Sequence, residues 1–156
     1  MRRGFPPRDE RIRARTDHDV DAGVDILRRV HLTHGYPVNW PDDPSGWLRG
    51  GTESAWVATT PVSCVGHVAV AVDAGIAFVE RLFVEPGREG AGIGRALLRH
   101  ATAEGRELAG DVMLDVIAAD DAANRLYRAE GWTEVSRTSI AWGRSPDSAV
   151  IRFRAP

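Results

Sequence analysis

Apolar residues recur along this chain with two periods, and each period predicts an element. Ile12 and Ala14 alternate with Arg11, Arg13 and Arg15, which suits a short strand with Ile12 and Ala14 inward. Val20, Val24, Leu27 and Val30/His31 then return at helical spacing, behind N-cap candidates at Thr16-Asp17-His18-Asp19 and ahead of Gly35 and Pro37, which end the run. The aromatic loop His34-Gly35-Tyr36-Pro37-Val38-Asn39-Trp40-Pro41 follows. Asp43-Pro44-Ser45-Gly46-Trp47-Leu48 reads as a cap, a proline at the first helical position and a short helix stopped by Gly50-Gly51. Ala55 to Thr59 and Cys64 to Val72 are strand-like and joined through Thr60-Pro61-Val62-Ser63; Asp73-Ala74-Gly75 turns into a third run, Ile76 to Val84. Connections this tight make the three strands antiparallel neighbours.

The second half changes period. After three spaced glycines a helix is predicted to bury Ile93, Leu97, Ala101 and Leu108, with Ala96 also inward, while Arg95, Arg99, Arg106 and Glu107 stay in water. Gly110 ends it. Val112 to Ile117 is a strand too distant from the previous one for a hairpin, so a helical crossover and parallel pairing are implied. Asp120 can cap a helix carrying Ala123, Leu126 and Tyr127 on one face, with Gly131 as its stop. Trp132 to Arg137 and Ala149 to Arg154 are the last strands, separated by a loop through Trp142-Gly143-Arg144-Ser145-Pro146-Asp147. The pattern predicts one α/β domain over residues 11–156 behind a Pro- and charge-rich tail, residues 1–10, that is expected to be disordered.

Composition narrows the function classes. Among 156 residues the formal net charge is -2, and the isoelectric point is near 6.2. Neither nucleic acid nor an anionic membrane surface is therefore an expected partner. All 20 basic residues are Arg, so lysine-based catalysis is excluded. Cys64 is the single cysteine, which rules out an internal disulfide or a cysteine metal cluster and makes the reducing cytoplasm the expected compartment. Met1-Arg2-Arg3 is followed by Gly4-Phe5-Pro6-Pro7-Arg8-Asp9-Glu10 where the apolar core of a signal peptide would stand, and no apolar run reaches the length of a membrane span. His18, His31, His34, His67 and His100 show no metal-ligand spacing, so no metal is expected. His67, inside a strand, reads as packed or as facing an acceptor.

The chemistry is expected around Gly90-Ala91-Gly92-Ile93-Gly94. Strand, glycine loop and helix start, in that order, point backbone N–H groups and the positive end of a helix dipole at one spot, which suits a phosphate. The spacing is not the dinucleotide fingerprint, because Arg95 stands where its last glycine would be, and no Gly-Lys-Ser/Thr follows to make a Walker A loop. By itself the loop is read equally well as an anion seat or as a tight turn with close helix–strand packing.

Two linked blocks give the loop a context. Val79-Glu80-Arg81-Leu82-Phe83-Val84-x-Pro86 with Glu89-Gly90-Ala91-Gly92-Ile93-Gly94-Arg95-Ala96-Leu97-Leu98 resembles the central signature of the GNAT superfamily of acyl-CoA-dependent N-acyltransferases. Leu114-Asp115-Val116-x-x-x-Asp120-x-x-Ala123-x-x-Leu126-Tyr127-x-x-x-Gly131-Trp132 is similar to that family's second motif. The resemblance implies a central mixed, mostly antiparallel sheet of six to seven strands flanked by about four helices, with the strands at 76–84 and 112–117 splayed into a wedge for acetyl-CoA. It implies contacts to acetyl-CoA from Leu82, Phe83, Val84, Arg88, Glu89, Gly90, Ala91, Gly92, Ile93, Gly94, Arg95, Asp120 and Tyr127. The family usually carries Gln or Arg where this chain has Glu89, so either Glu89 turns to solvent or Arg88 takes over the charge. The second motif commonly begins with Asn, and here Asp120 holds that place.

By the same resemblance Tyr127 is the general acid for the departing thiolate, although bare helix spacing would call it a core aromatic. Glu80 and Asp115 are the candidates for general base, with no dedicated side-chain base as the remaining option. Strict alternation puts Glu80 on the face of Leu82, and Asp115 on the face of Met113 and Ile117. His34, Tyr36, Trp40 and Trp47 would wall the acceptor pocket or, equally, form an aromatic flap over the core. The function implied is an N-acetyltransferase moving acetyl directly from acetyl-CoA to a primary amine of a small amine, amino acid, antibiotic or protein N-terminus, in a protein that can pair as a homodimer through its last two strands. A non-catalytic acyl-CoA-binding or sensing module with the same fold is the alternative, and a nucleotide-dependent enzyme using the same loop is the third reading.

Overall fold

The structure, a computed structural model, describes residues 10–156; the tail expected to be disordered lies, apart from Glu10, outside the described residues. Seven strands form one sheet: β1 (Arg11–Ala14), β2 (Ser54–Thr59), β3 (Cys64–Asp73), β4 (Ile76–Val84), β5 (Val112–Ile117), β6 (Thr133–Ser139) and β7 (Ala149–Arg154). Their spatial order is β1-β2-β3-β4-β5-β7-β6, and every neighbouring pair is antiparallel except β4 with β5. Four α-helices flank it: α1 (Val20–His34), α2 (Pro44–Arg49), α3 (Ile93–Ala109) and α4 (Asp121–Ala129). Strand count, helix count and the parallel crossover through α3 are those the sequence predicts.

Local chemistry sets the element ends. Asp19 accepts from the Thr16 N–H at 2.7 Å and is gripped by both terminal nitrogens of Arg13, at 2.7 and 2.9 Å, which ties β1 to the entry of α1. Gly35 closes α1 in the left-handed region, with φ of +73°. Asp43 caps α2 through the Gly46 N–H at 3.0 Å, with Pro44 at the first helical position, and Asp120 caps α4 through the Ala123 N–H at 3.2 Å.

The sheet separates two cores. On one face Val68, Val70, Ala77, Val79, Leu114 and Phe153 pack under α3, which contributes Ile93, Leu97, Leu98 and Ala101. On the other, Val20, Ile26, Leu27 and Val30 of α1 and Leu48 of α2 close over Phe83. Two expectations fail here. Leu108 is 48% exposed, and Leu98 is buried in its stead. Gly105 already sits on Ala77 and Val112, where an added Cβ would come within 3.1 Å of each. Those residues lie at the starts of β4 and β5, so the last turn of α3 overhangs the sheet and Leu108 meets solvent. Ala14 is also exposed and Ile12 only half-buried, because β1 is an edge strand.

Two irregularities shape the middle of the sheet. Pairing of β4 with β5 is confined to Ala77 with Val112 and Phe78 with Met113, so beyond Phe78 the two strands part. On the other side of β4 the register slips: His67 faces Phe83 and Ala69 faces Glu80, leaving Val68 opposite both Arg81 and Leu82. This is a β-bulge, and Arg81 within it has φ of +51°, a left-handed conformation uncommon for a residue with a side chain. The extra residue reverses the alternation. Glu80 keeps the face of Phe78, but Leu82 and Val84 turn to the α3 side and Phe83 to the α1 side. Glu80 and Leu82 therefore do not share a face, contrary to strict alternation.

Candidate active site

Where β4 and β5 part, a cavity of about 240 Å³ opens, lined by Tyr36, Trp47, Phe78, Val79, Glu80, Arg81 and Asp115. Glu80 and Asp115, expected on neighbouring strands, do meet here. Their surroundings differ. Arg152 of β7 grips Asp115 by both oxygens, Nε to Oδ1 at 2.8 Å and Nη2 to Oδ2 at 2.9 Å, while its guanidinium lies 5.0 Å from the Phe78 ring centroid. Glu80 accepts through Oε2 alone, from Arg81 Nη1 at 2.6 Å. Arg81 also donates from Nε to the Trp47 carbonyl at 2.9 Å and lies 4.7 Å from the Trp47 ring centroid, so α2 and the bulge are fastened together.

Of the four expected wall residues, two arrive. Tyr36 and Trp47 line the cavity edge to face, with centroids 6.4 Å apart. Burial pushes the Tyr36 phenol well above its ordinary range, with Arg81 opposing that shift. Trp40 packs instead on His31 and lies under Arg28, and His34 leaves for the glycine loop. Arg81, Phe78 and Arg152 complete the site and were not singled out beforehand. Nothing in the local pattern distinguishes Arg81 from the strand's other outward residues, because its placement follows from the bulge.

The glycine loop lies beyond the end of β4. Gly87, Gly90 and Gly92 have φ of +92°, +83° and +83°, so the loop's curvature depends on residues that take the left-handed region without strain. Gly92 caps α3, and the N–H groups of Ile93, Gly94 and Arg95 that follow have no intrahelical acceptor. Glu89 turns back on its own loop: Oε2 accepts from the Gly87 N–H at 2.6 Å and Oε1 faces His34 Nε2 at 2.8 Å. Its own backbone N–H first, then His34 and Gly87, hold this carboxyl below the usual range. The carboxylate is thus satisfied by the loop and by α1.

Tyr127 is 8% exposed and packs with Trp132 and Phe153, at centroid distances of 6.2 and 5.8 Å. Burial raises its phenol well above the ordinary tyrosine range, reinforced by Tyr36 and Asp120. Among the described residues no cluster of His, Cys, Asp and Glu is arranged to hold a metal ion, and no helix is long and apolar enough to cross a membrane.

Comparison with known proteins bears on this arrangement. Residues 22–132 match the family described as the acetyltransferase (GNAT) family. The fold is similar to that of the ribosomal-protein-S18-alanine N-acetyltransferase of Escherichia coli, with a TM-score of 0.75 and 22% identity over 94% of this chain and 93% of that one. It is similar to Ard1 of Thermoplasma volcanium, with a TM-score of 0.76 and 20% identity over 95% and 99%. It is also similar to yncA of Salmonella typhimurium in a structure with its cofactor acetyl-CoA, with a TM-score of 0.73 and 19% identity over 95% of each chain. A comparison with curated protein sequences returns no match.

Proposed function

Because the chain belongs to the GNAT acetyltransferase family, and is therefore an acyltransferase, we propose that it moves the acetyl group of acetyl-CoA directly to a primary amine held in the cavity of Tyr36, Trp47, Glu80 and Arg81. The observation that carries this reading is the parting of β4 from β5 after a single two-residue ladder. Beyond Phe78 the backbone edge of β4 is left to an extended ligand, in the manner of a strand added to a sheet. In this reading Leu82, Phe83 and Val84 meet the pantetheine arm through their backbone, and the N–H groups from Gly90 to Arg95 seat the pyrophosphate. Arg88 faces the same anion, Glu89 shapes the loop through Gly87 and His34, and Asp120 borders the arm at the start of α4.

The amine nitrogen attacks the thioester carbon, the new C–N bond forms, and the C–S bond breaks. The proton lost by the amine goes to Glu80 directly or through water; Asp115, with both oxygens on Arg152, is the weaker candidate. Tyr127 gives its proton to the departing thiolate. The phenol, held above its ordinary range by burial, carries the proton that this step needs. Reaction in the cytoplasm fits the single reduced cysteine, Cys64.

The test is a thiol-release assay of the purified protein with acetyl-CoA against a panel of amines, amino acids and peptides with free N-termini, alongside a melting curve. Turnover with one acceptor class and stabilisation by CoA are expected; at one hundred times Kd the stabilisation is about 2.7 kcal/mol. Stabilisation by acetyl-CoA with no acceptor turned over would favour an acyl-CoA-sensing module, and absence of stabilisation would remove both readings.

A further inference from the structure

His67 is fully buried and takes no part in the chemistry proposed above, yet both of its ring nitrogens are engaged. Nδ1 lies 2.9 Å from the Arg81 carbonyl oxygen, and Nε2 lies 3.1 Å from Arg15 Nη1. A carbonyl only accepts and a guanidinium only donates, so these partners fix the neutral tautomer with its proton on Nδ1. Arg15 is held in turn by the Leu48 carbonyl at 2.8 Å. The imidazole also stacks on Phe83, with centroids 5.1 Å apart and planes 12° from parallel. The ring, carried by β3, is locked by Arg15, the residue after β1, and by Arg81 and Phe83 of β4.

The carbonyl that His67 holds belongs to the bulge. Val65 accepts the Glu85 N–H at 2.8 Å, and Val70 accepts the Glu53 N–H at 2.8 Å. Strand alternation then directs the polar backbone of Val65, His67 and Ala69 toward β4, and that of Gly66, Val68 and Val70 toward β2. Val68, which stands opposite both Arg81 and Leu82, has no backbone group to offer either of them. The histidine side chain takes the Arg81 carbonyl in place of the ladder. In a planar trans peptide the C=O of one residue and the N–H of the next point in opposite directions. Fixing the Arg81 carbonyl on the β3 side therefore aims the Leu82 N–H toward the side where β5 has parted from the sheet.

We propose that His67, locked by Arg15 and Phe83, is a positioning residue that aims the Leu82 N–H at the carbonyl oxygen of the thioester. The inference rests on the reading that the acyl donor lies along β4. An N–H aimed at that oxygen stabilises the negative charge that grows on it during attack. A histidine that only filled the core would be replaceable at a cost in stability alone.

The experiment is difference infrared spectroscopy of the protein bound to acetyl-CoA labelled with carbon-13 at the acetyl carbonyl, which needs no acceptor. In the unaltered protein the carbonyl stretch is expected at lower frequency than for free acetyl-CoA. His67→Leu should return it to the free value while acetyl-CoA binding falls by no more than a few-fold, since the pyrophosphate seat is untouched. His67→Asn, whose amide nitrogen can stand where Nδ1 stood, should keep most of the shift. A His67→Leu protein that retains the full shift overturns the proposal. Should that variant not fold, Arg15→Met decides: it frees Nε2, a partial return of the band supports the proposal, and an unmoved band overturns it. An unaltered protein that binds acetyl-CoA with an unshifted carbonyl removes the role of Leu82, whereas one that does not bind it removes the acyltransferase site itself.

Discussion

Asp115 and Arg152 form a two-point ion pair across β5 and β7, with both carboxylate oxygens within 2.9 Å of guanidinium nitrogens. Glu80, facing the same cavity, spends only Oε2 on Arg81. A carboxylate with one oxygen uncommitted can approach a water or an amine, whereas one held at both must first break a charge-assisted pair. Glu80→Gln is expected to lower kcat on the order of 100-fold, the lower end of what general-base removal costs. Asp115→Asn should cost roughly tenfold or less. Steady-state thiol release across pH 5.5 to 9 compares the two, and the reverse order would transfer the base role to Asp115.

Tyr127 can be separated from its packing because phenylalanine fills nearly the same space. Tyr127→Phe should lower kcat by about 100-fold, as expected for loss of a general acid, with acetyl-CoA affinity kept within a few-fold. The melting temperature should move little, since the contacts with Trp132 and Phe153 are made by the ring. An unchanged kcat would remove Tyr127 from the proton path.

His67 sets an acid limit on stability. Burial pushes its imidazole down to about 4, from an ordinary value of 6.5. Between those values the unfolded chain binds a proton that the folded chain refuses, so stability rises with pH through this window. The contribution is complete above 6.5 and is lost as pH falls toward 4, amounting to on the order of 3 kcal/mol across the window. Urea unfolding midpoints at pH 7.5 and pH 5 should therefore differ markedly for the unaltered protein and much less for His67→Leu. Asp19 and Glu89, both held below the ordinary carboxylate range, lose their contributions only at lower pH, so they do not obscure the effect.

Gly92 tests the loop. At φ of +83° an alanine pays roughly 1–2 kcal/mol for the left-handed conformation. Gly92→Ala should lower stability by about that amount and weaken CoA binding by tenfold or more, because relief of the strain moves the N–H groups of Ile93 and Gly94. Calorimetric titration with CoA checks it. Stability lost without affinity would confine Gly92 to a structural turn.

Much of this was legible because it depends on short-range pattern. The spacing of Val20, Val24, Leu27 and Val30 gives α1, and the distance from Val84 to Val112 compels a crossover and a parallel pair. Cap residues Asp43 and Asp120 are found where expected. The bulge was not legible, since Ile76 to Val84 is an apolar run broken only by Glu80-Arg81, with no glycine or proline to mark it, and the slip arises from pairing with β3. That one slip moves Leu82 to the opposite face and admits Arg81 to the cavity. Leu108 has the correct helical phase, yet the strands end before its turn is reached. Trp40 sits in the expected loop and His34 at the end of α1 just before it, but their positions depend on His31, Arg28 and Glu89, partners remote from any local rule.

The two-residue ladder between β4 and β5 has a consequence for how the protein opens. Strands β1 to β4 form one hydrogen-bonded block and β5, β7 and β6 another, joined by the short ladder of Ala77 and Phe78 with Val112 and Met113 and by the Ala77 N–H on the Asp111 carbonyl. Sheets share stability through their ladders, and so weak a seam allows each block to exchange its amide protons on its own schedule. A ligand lying in the gap touches both, and so acts as the missing rung that couples them. Amide protection should then rise together in β4 and β5 when acetyl-CoA is added, turning two cooperative units into one.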